Sequence, residues 1–268
     1  MMFLVAEHFR TAMTVIASPD LIAKLDHVLK AGSPDLRTRM LQEVAGLFLE
    51  DAHRLSEHHV EMFDDILIRL SESVELRTLT TLSRSLADLH LVPRELARRL
   101  ANHDDADVAA PILRACECIP EADLIDIAWM RAEGHLSAIA GRKAVSQELA
   151  DILLMRGDSS VLRVLAGNRG ADMTSAGLAM MVDAAERDAP IADALIARSD
   201  LPPHVLSDVV MRSTPRQQAR LLKLARPDIK DAVRAAIDAG AARASANPPA
   251  TIDDAKARAT AMTKPFSV

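Results

Sequence analysis

Five times between Val92 and Val210 the sequence sets an apolar residue in front of a helix-starting residue: Val92-Pro93, Ile119-Pro120, Val145-Ser146, Met173-Thr174 and Leu201-Pro202. The starters fall 27, 26, 28 and 28 residues apart. Seven residues beyond each starter stands an apolar side chain (Leu100, Ile127, Leu153, Met181, Val209), and the eighth is apolar as well (Ala101, Ala128, Leu154, Val182, Val210). Pro forfeits no hydrogen bond in a first helical turn, and a Ser or Thr hydroxyl can accept from an orphan amide there. Positions seven and eight lie two turns further on, along one helical face. Self-similarity at a near-constant period predicts stacked units, each needing its neighbours to cover an apolar side.

The predicted fold is all-α: a right-handed α-solenoid of short HEAT-like two-helix repeats with a period of about 27, preceded by a non-repeating helical region. The unit is shorter than the ~40–47 residues usual for HEAT or armadillo repeats. Three regions are expected: an N-terminal helical region over 1–73 continuous with the array, the array with its C-terminal cap over 74–243, and a weakly ordered tail over 244–268. The first helix of each unit is expected to bury Leu82, Leu86 and Leu89, then Ile112 and Leu113, Leu136 and Ile139, Leu162 and Leu165, and Ile191 and Leu195.

In the N-terminal region, a helix over 2–17 is followed by two near-identical starts, Ser18-Pro19-Asp20-Leu21 and Ser33-Pro34-Asp35-Leu36, with Gly32 as the stop between them. The second launches a long helix to about Arg54, with Met40, Leu41, Val44, Leu47 and Phe48 inward. Ser56 caps the next, which buries Val60, Phe63, Ile66, Leu67 and Leu70. At the other end, Pro215 restarts a helix to Arg226, and a last one runs from Asp228 to about Ala239.

Composition agrees with helices. Aromatic content is 2%, with no Tyr and one Trp, so the core falls to Leu, Ile, Val, Ala and Met. A net charge of −6 argues against nonspecific nucleic-acid binding, which needs a basic footprint. The opening MMFLVAEHFR has neither a basic leader nor a small-residue cleavage site, so no signal peptide is expected. No apolar run approaches the ~20 residues that cross a bilayer. The two cysteines, Cys116 and Cys118, are too close for a framework disulfide, and their scarcity points to a cytoplasmic protein.

The segment LFLEDAHRLSEHHVEMFDDILIRL, Leu47 to Leu70, resembles a family of uncharacterised, mainly alphaproteobacterial proteins, domain of unknown function 2336. The likeness rests on Leu47-Phe48-Leu49, the Arg54-Leu55-Ser56 turn, and Phe63-Asp64-Asp65 leading to Arg69-Leu70. It continues through Ile139-Ala140-Gly141-Arg142 and Leu201-Pro202-Pro203, over roughly residues 20 to 215. The resemblance implies a helical-repeat fold and carries no activity or catalytic residue with it.

The residues themselves offer little chemistry. Glu50 and His53 share the i,i+3 spacing used in di-iron carboxylate proteins, but no second Glu-x-x-His supplies the rest. Cys116-Glu117-Cys118 reads either as a redox or metal pair or as two packing residues; on a continuous helix the two point apart unless the backbone unwinds before Pro120, so packing is the expected role of both. Gly167-Asn168-Arg169-Gly170 reads as an inter-helix turn, and Trp129 as either a packing residue or an exposed anchor. No nucleophile elbow, Walker loop, dinucleotide fingerprint or zincin motif occurs, so no catalytic, cofactor-binding or metal residue is assigned and no cofactor is expected.

Charge is unevenly spread. Residues 50–75 hold eight acidic residues and two arginines, a formal −6; residues 212–243 hold eight cations and three aspartates, a formal +5. The candidate partner-binding residues are therefore Glu57, Glu61 and Asp65 at one end and Arg216, Arg220 and Lys223 at the other. The function expected is a non-enzymatic protein-interaction scaffold or signalling adaptor. Its partner is another protein, with self-association of the two charged regions as one form. No membrane is expected. The competing expectation is a HEAT-like enzyme on nucleic acid, of the DNA glycosylase type, disfavoured by acidic charge and few aromatics.

Overall fold

The computed structural model describes residues 24–25, 27–28, 33–72 and 74–246. The predicted helix over 2–17, the Ser18-Pro19 start, the Gly32 stop and residues 247–268 lie outside the described residues.

Among the described residues the chain is all-α, with fourteen helices. They are α1 Pro34–Asp51, α2 Glu57–Ser71, α3 Leu76–Ala87, α4 Arg94–Ala101, α5 Ala106–Ala115, α6 Glu121–Met130, α7 Glu133–Ala140, α8 Gln147–Arg156, α9 Ser159–Gly167, α10 Ser175–Arg187, α11 Ala189–Ile196, α12 Pro203–Arg212, α13 Pro215–Leu224 and α14 Lys230–Ala246. All five predicted starters sit immediately before a helix: α4, α6, α8, α10 and α12. Ser146 Oγ accepts from the Leu149 amide at 3.3 Å, and Thr174 Oγ1 from the Gly177 amide at 2.9 Å. All ten of the +7 and +8 side chains are buried. Ser33 and Ser56 cap α1 and α2 as expected, and His59 completes a capping box with Ser56. The inward residues of α2 are all buried, and Phe63 meets Phe48 of α1 edge-on, with ring centroids 5.3 Å apart. Leu47, Leu89 and Leu162, expected in the core, are half-buried. The last helix runs on to Ala246, past Gly240, where the sequence predicted its end.

The chain divides into two compact units, Met1–Gly177 and Leu178–Val268, and the division falls within α10. In the first unit α1, α3, α5, α7 and α9 form one row, each packing on the one before it. In the other row α4 packs on α2 and α8 on α6, and Arg98 of α4 pairs with Asp123 of α6 at 2.7 Å. Consecutive helices close the pairs between the rows, and α1 and α2 enter the same two rows as the regular units. In the second unit α11 packs on α12 and α13, and α14 packs on α12 and α13. No helix among the described residues is long and apolar enough to cross a membrane.

Polar bonds also lock one layer of the first unit to the next. A helix C-terminus leaves carbonyls without an intrahelical partner. Here those carbonyls accept from the layer that follows. Arg131, just past α6, donates to the Asn102 carbonyl just past α4, at 2.5 Å. Arg156, ending α8, donates to the Ala128 carbonyl of α6 at 2.5 Å. In the other row, Arg142, past α7, donates to the Leu113 carbonyl of α5 and to that of Cys116 at 3.0 Å. Asn168, past α9, donates to the carbonyls of Ala140 and Arg142, both at 2.7 Å. Each clamp spans 26 to 29 residues, about one period. Guanidinium and amide groups have the several donors that such shared capping requires. Two further links join layers: Ser83 Oγ of α3 donates forward to the Val108 carbonyl of α5 at 2.6 Å, and His135 Nε2 of α7 donates back to the His103 carbonyl at 2.8 Å. Asp64 closes the remaining gap from the opposite end of a helix. Its carboxylate accepts from the Glu95 and Leu96 amides at the start of α4, where Pro93 offers no capping side chain.

Candidate functional site

The Cys116-Glu117-Cys118 turn departs from its sequence reading. The two cysteines do not pack separately on one helix; they are joined as a disulfide. The physical reason is where α5 stops. Its last helical residue is Ala115, and Cys116 is already extended, with φ −70° and ψ 117°. The Cys116 amide still donates to the Ile112 carbonyl, but its own carbonyl turns to the Arg142 guanidinium instead of continuing the helix. Arg142 is half-buried, and burial pushes its guanidinium below the ordinary arginine range while Glu117 opposes that. Glu117 also pairs with Lys143 at 3.6 Å. Cys116 is 1% exposed, whereas Cys118 is half-buried and lines an open cleft of about 180 Å3. Asp88, Leu89 and His90, from the end of α3, form the facing wall of that cleft. A loop with one intervening residue constrains the unfolded chain weakly, by roughly 1–2 kcal/mol in the chain-entropy model.

A second feature lies on the row of even-numbered helices. Trp129 and Met155 occupy the same repeat position, nine residues after the starters Pro120 and Ser146, in helices α6 and α8 that pack on each other. They are 49% and 59% exposed, and Met130 beside Trp129 is 72% exposed. Large apolar side chains stand exposed at matched positions of two packed helices. Trp129 thus takes the exposed alternative of its sequence reading.

The charged residues singled out in the sequence fall in separate units and are placed as follows. Glu57, Glu61 and Asp65 are all exposed along α2 at i, i+4, i+8, and among the described residues His58 lies 3.8 Å from Glu61. Asp64, next in sequence, turns inward to α4, and burial raises its carboxyl above the usual range while the Glu95 and Leu96 amides pull it down. In the second unit Arg216, Arg220 and Lys223 are exposed on α13. Pro215 does restart the helix there, with Thr214 and Gln217 forming a capping box. Arg220 is held by Asp193 of α11 at 2.5 Å, and Arg212 pairs with Asp183 and Glu186 of α10. Burial raises Asp193 above the usual carboxyl range, and Arg220 works against that rise. The basic face is therefore partly neutralised from within, leaving Arg216 and Lys223 as its outward charges. Among the described residues, no three His, Cys, Asp or Glu side chains gather as a group that could hold a metal ion.

The comparisons with known proteins bear on the family alone. Neither the curated proteins nor the solved structures returned a match. The family described as "Uncharacterised protein conserved in bacteria (DUF2336)" matches residues 108–264, from within α5 to beyond α14. The Leu47–Leu70 segment that first suggested the likeness precedes the matched residues; the repeats around Ile139 and Leu201 fall inside them. With more than half of its length matched, the chain belongs to this bacterial DUF2336 family.

Proposed function

We propose that the chain is a non-enzymatic α-solenoid of short HEAT-like repeats, working as a protein-interaction scaffold or signalling adaptor. The observation that carries the reading is the apolar face of Trp129, Met130 and Met155. Repeats lay equivalent residues side by side on successive layers, and such stacked faces are the usual binding surface of helical-repeat proteins. Trp is an enriched anchor at interfaces, and Met, flexible and polarizable, adapts its shape to an apolar partner. The occupant this face suits is a protein segment presenting apolar side chains. Glu57, Glu61 and Asp65 offer a separate acidic stripe for a basic segment of a partner. Arg216 and Lys223 offer the reverse, a second copy of this chain included.

The test is quantitative affinity capture from native bacterial lysate, comparing the wild-type chain with a Trp129→Glu, Met155→Glu double variant of equal thermal stability. The reading expects a stoichiometric protein held by the wild-type chain and lost from the variant. Identical recoveries from both chains overturn the apolar face as the docking surface, and recovery of nucleic acid in place of protein overturns the scaffold reading itself.

A further inference from the structure

We propose that Cys116 and Cys118 form a dithiol–disulfide exchange centre, whose reaction partner is a second dithiol entering the cleft beside His90. Four observations meet at this turn. The bond closes so short a loop that it does little as a staple. The two sulfurs differ in access, Cys116 being buried and Cys118 opening onto the cleft of about 180 Å3. Arg142 donates to the Cys116 carbonyl, while Lys143 is paired with Glu117, so the Arg142 guanidinium is the cation set against the pair. Positive charge beside a cysteine favours its thiolate, which is the form that leaves in exchange. His90 and Asp88 line the facing wall, placing an imidazole and a carboxylate beside an incoming thiol.

The chemistry runs through the accessible sulfur. A thiolate of the donor dithiol attacks Cys118 Sγ, forming a mixed disulfide, and the Cys116–Cys118 bond breaks with its electron pair leaving on Cys116 Sγ. The donor's second thiolate then attacks its own sulfur in the mixed disulfide. The donor departs as a disulfide, and Cys118 is released as a thiolate. This chain gains two electrons and takes up two protons as both thiolates are protonated, and the donor dithiol is oxidised by the same two electrons. In the reverse direction the reduced pair accepts a partner's disulfide at Cys118.

This site is independent of the apolar face on α6 and α8, so either can fail without the other. The purified full-length chain is equilibrated at neutral pH with mixtures of reduced and oxidised dithiothreitol, quenched with a maleimide, and weighed by mass spectrometry. The expected result is a single transition in which molecules carry both free thiols or neither. Two free thiols throughout the oxidising range, or disulfide-linked dimers in place of the intramolecular bond, overturn the proposal. Direction of attack is read on the reduced wild-type chain with limiting iodoacetamide, which needs no variant to fold. Cys118 should be alkylated about tenfold or more faster than Cys116, in line with its exposure. Equal labelling of the two, or faster labelling of Cys116, removes Cys118 as the attacking and attacked sulfur. In a Cys116→Ser chain, Cys118 should react with dithiobis(nitrobenzoate) to form a stable mixed disulfide with release of one thionitrobenzoate, while a Cys118→Ser chain reacts slowly; the opposite order contradicts the assignment.

Discussion

Arg156 donates a hydrogen bond to the carbonyl of Ala128, a residue 28 positions earlier at the end of the preceding even-numbered helix. The bond replaces a partner that α6 cannot supply for itself, and its donor is a side chain from the next layer. The same relation recurs from Arg131 to Asn102, from Arg142 to Leu113 and from Asn168 to Ala140. Successive layers in the first unit are thus tied by apolar burial and by shared capping of helix ends.

Loss of one clamp should be felt as a buried, unpaired carbonyl. Arg156→Ala is expected to destabilise the chain by about 2 kcal/mol, since hydrogen bonds to charged groups contribute roughly 1.5–3 kcal/mol. Arg156→Lys should recover only part of this, because the shorter lysine side chain must bring its ammonium to the place from which Nη1 donates to both the Ala128 and Arg131 carbonyls. Urea unfolding of the three chains checks both statements, and a neutral Arg156→Ala would remove the clamp as a stabilising element.

Gly170 and Gly167 make a matched pair of substitutions. The amide of Val145 donates to the Gly170 carbonyl at 3.0 Å, and Asp172 donates back to Val145 at 2.9 Å, so two turns are stitched backbone to backbone. A Cβ on Gly170 would lie 1.8 Å from the Lys143 carbonyl oxygen, whereas one on Gly167 would meet nothing within 4 Å. Gly170→Ala should cost about 2 kcal/mol or more, by the strain of forced overpacking. Gly167→Ala, in the last turn of α9, should be neutral or stabilising by up to about 1 kcal/mol. Thermal melts of the two variants give the comparison, and equal effects would contradict the close approach.

Asp64 gives a prediction with a sign. Its carboxylate caps α4 from α2 through two 2.8 Å bonds, so Asp64→Ala should cost about 2 kcal/mol. Its carboxyl titrates above the ordinary 3.8 in the folded chain, because burial outweighs the two amides. Between 3.8 and that higher folded value the folded chain holds the proton and the unfolded chain does not. Stability contributed through this group is therefore greatest below 3.8 and declines as pH rises through the window. The wild-type stability minus that of Asp64→Asn, measured by urea unfolding, should fall as pH is raised from that point and then level off. A difference that grows with pH would reverse the assigned shift.

Much of this was legible in the sequence, and the limits have physical causes. Helix starts announce themselves locally, through Pro93 or Ser146 and the apolar residues two turns on, so five helices and ten core side chains could be placed from spacing alone. The clamps were hidden because an acceptor carbonyl has no sequence label and its donor stands a whole period away. Cys116 and Cys118 were misplaced because the end of α5 depends on Arg142 drawing the Cys116 carbonyl out of the helix, a contact from another layer. The basic stripe looked stronger than it is: the partner of Arg220 is Asp193, on a different helix, and nothing in their spacing links them.

The docking face is tested most directly through Trp129, the chain's only tryptophan. Incorporating 5-fluorotryptophan gives the protein one fluorine resonance at the centre of that face, visible even when a partner has tryptophans of its own. On addition of the protein recovered by affinity capture, the resonance should shift or broaden as complex forms, and a Met155→Glu chain should show that change weakened. Complex formation seen by an independent method while the Trp129 resonance stays unchanged would contradict a docking face on α6 and α8.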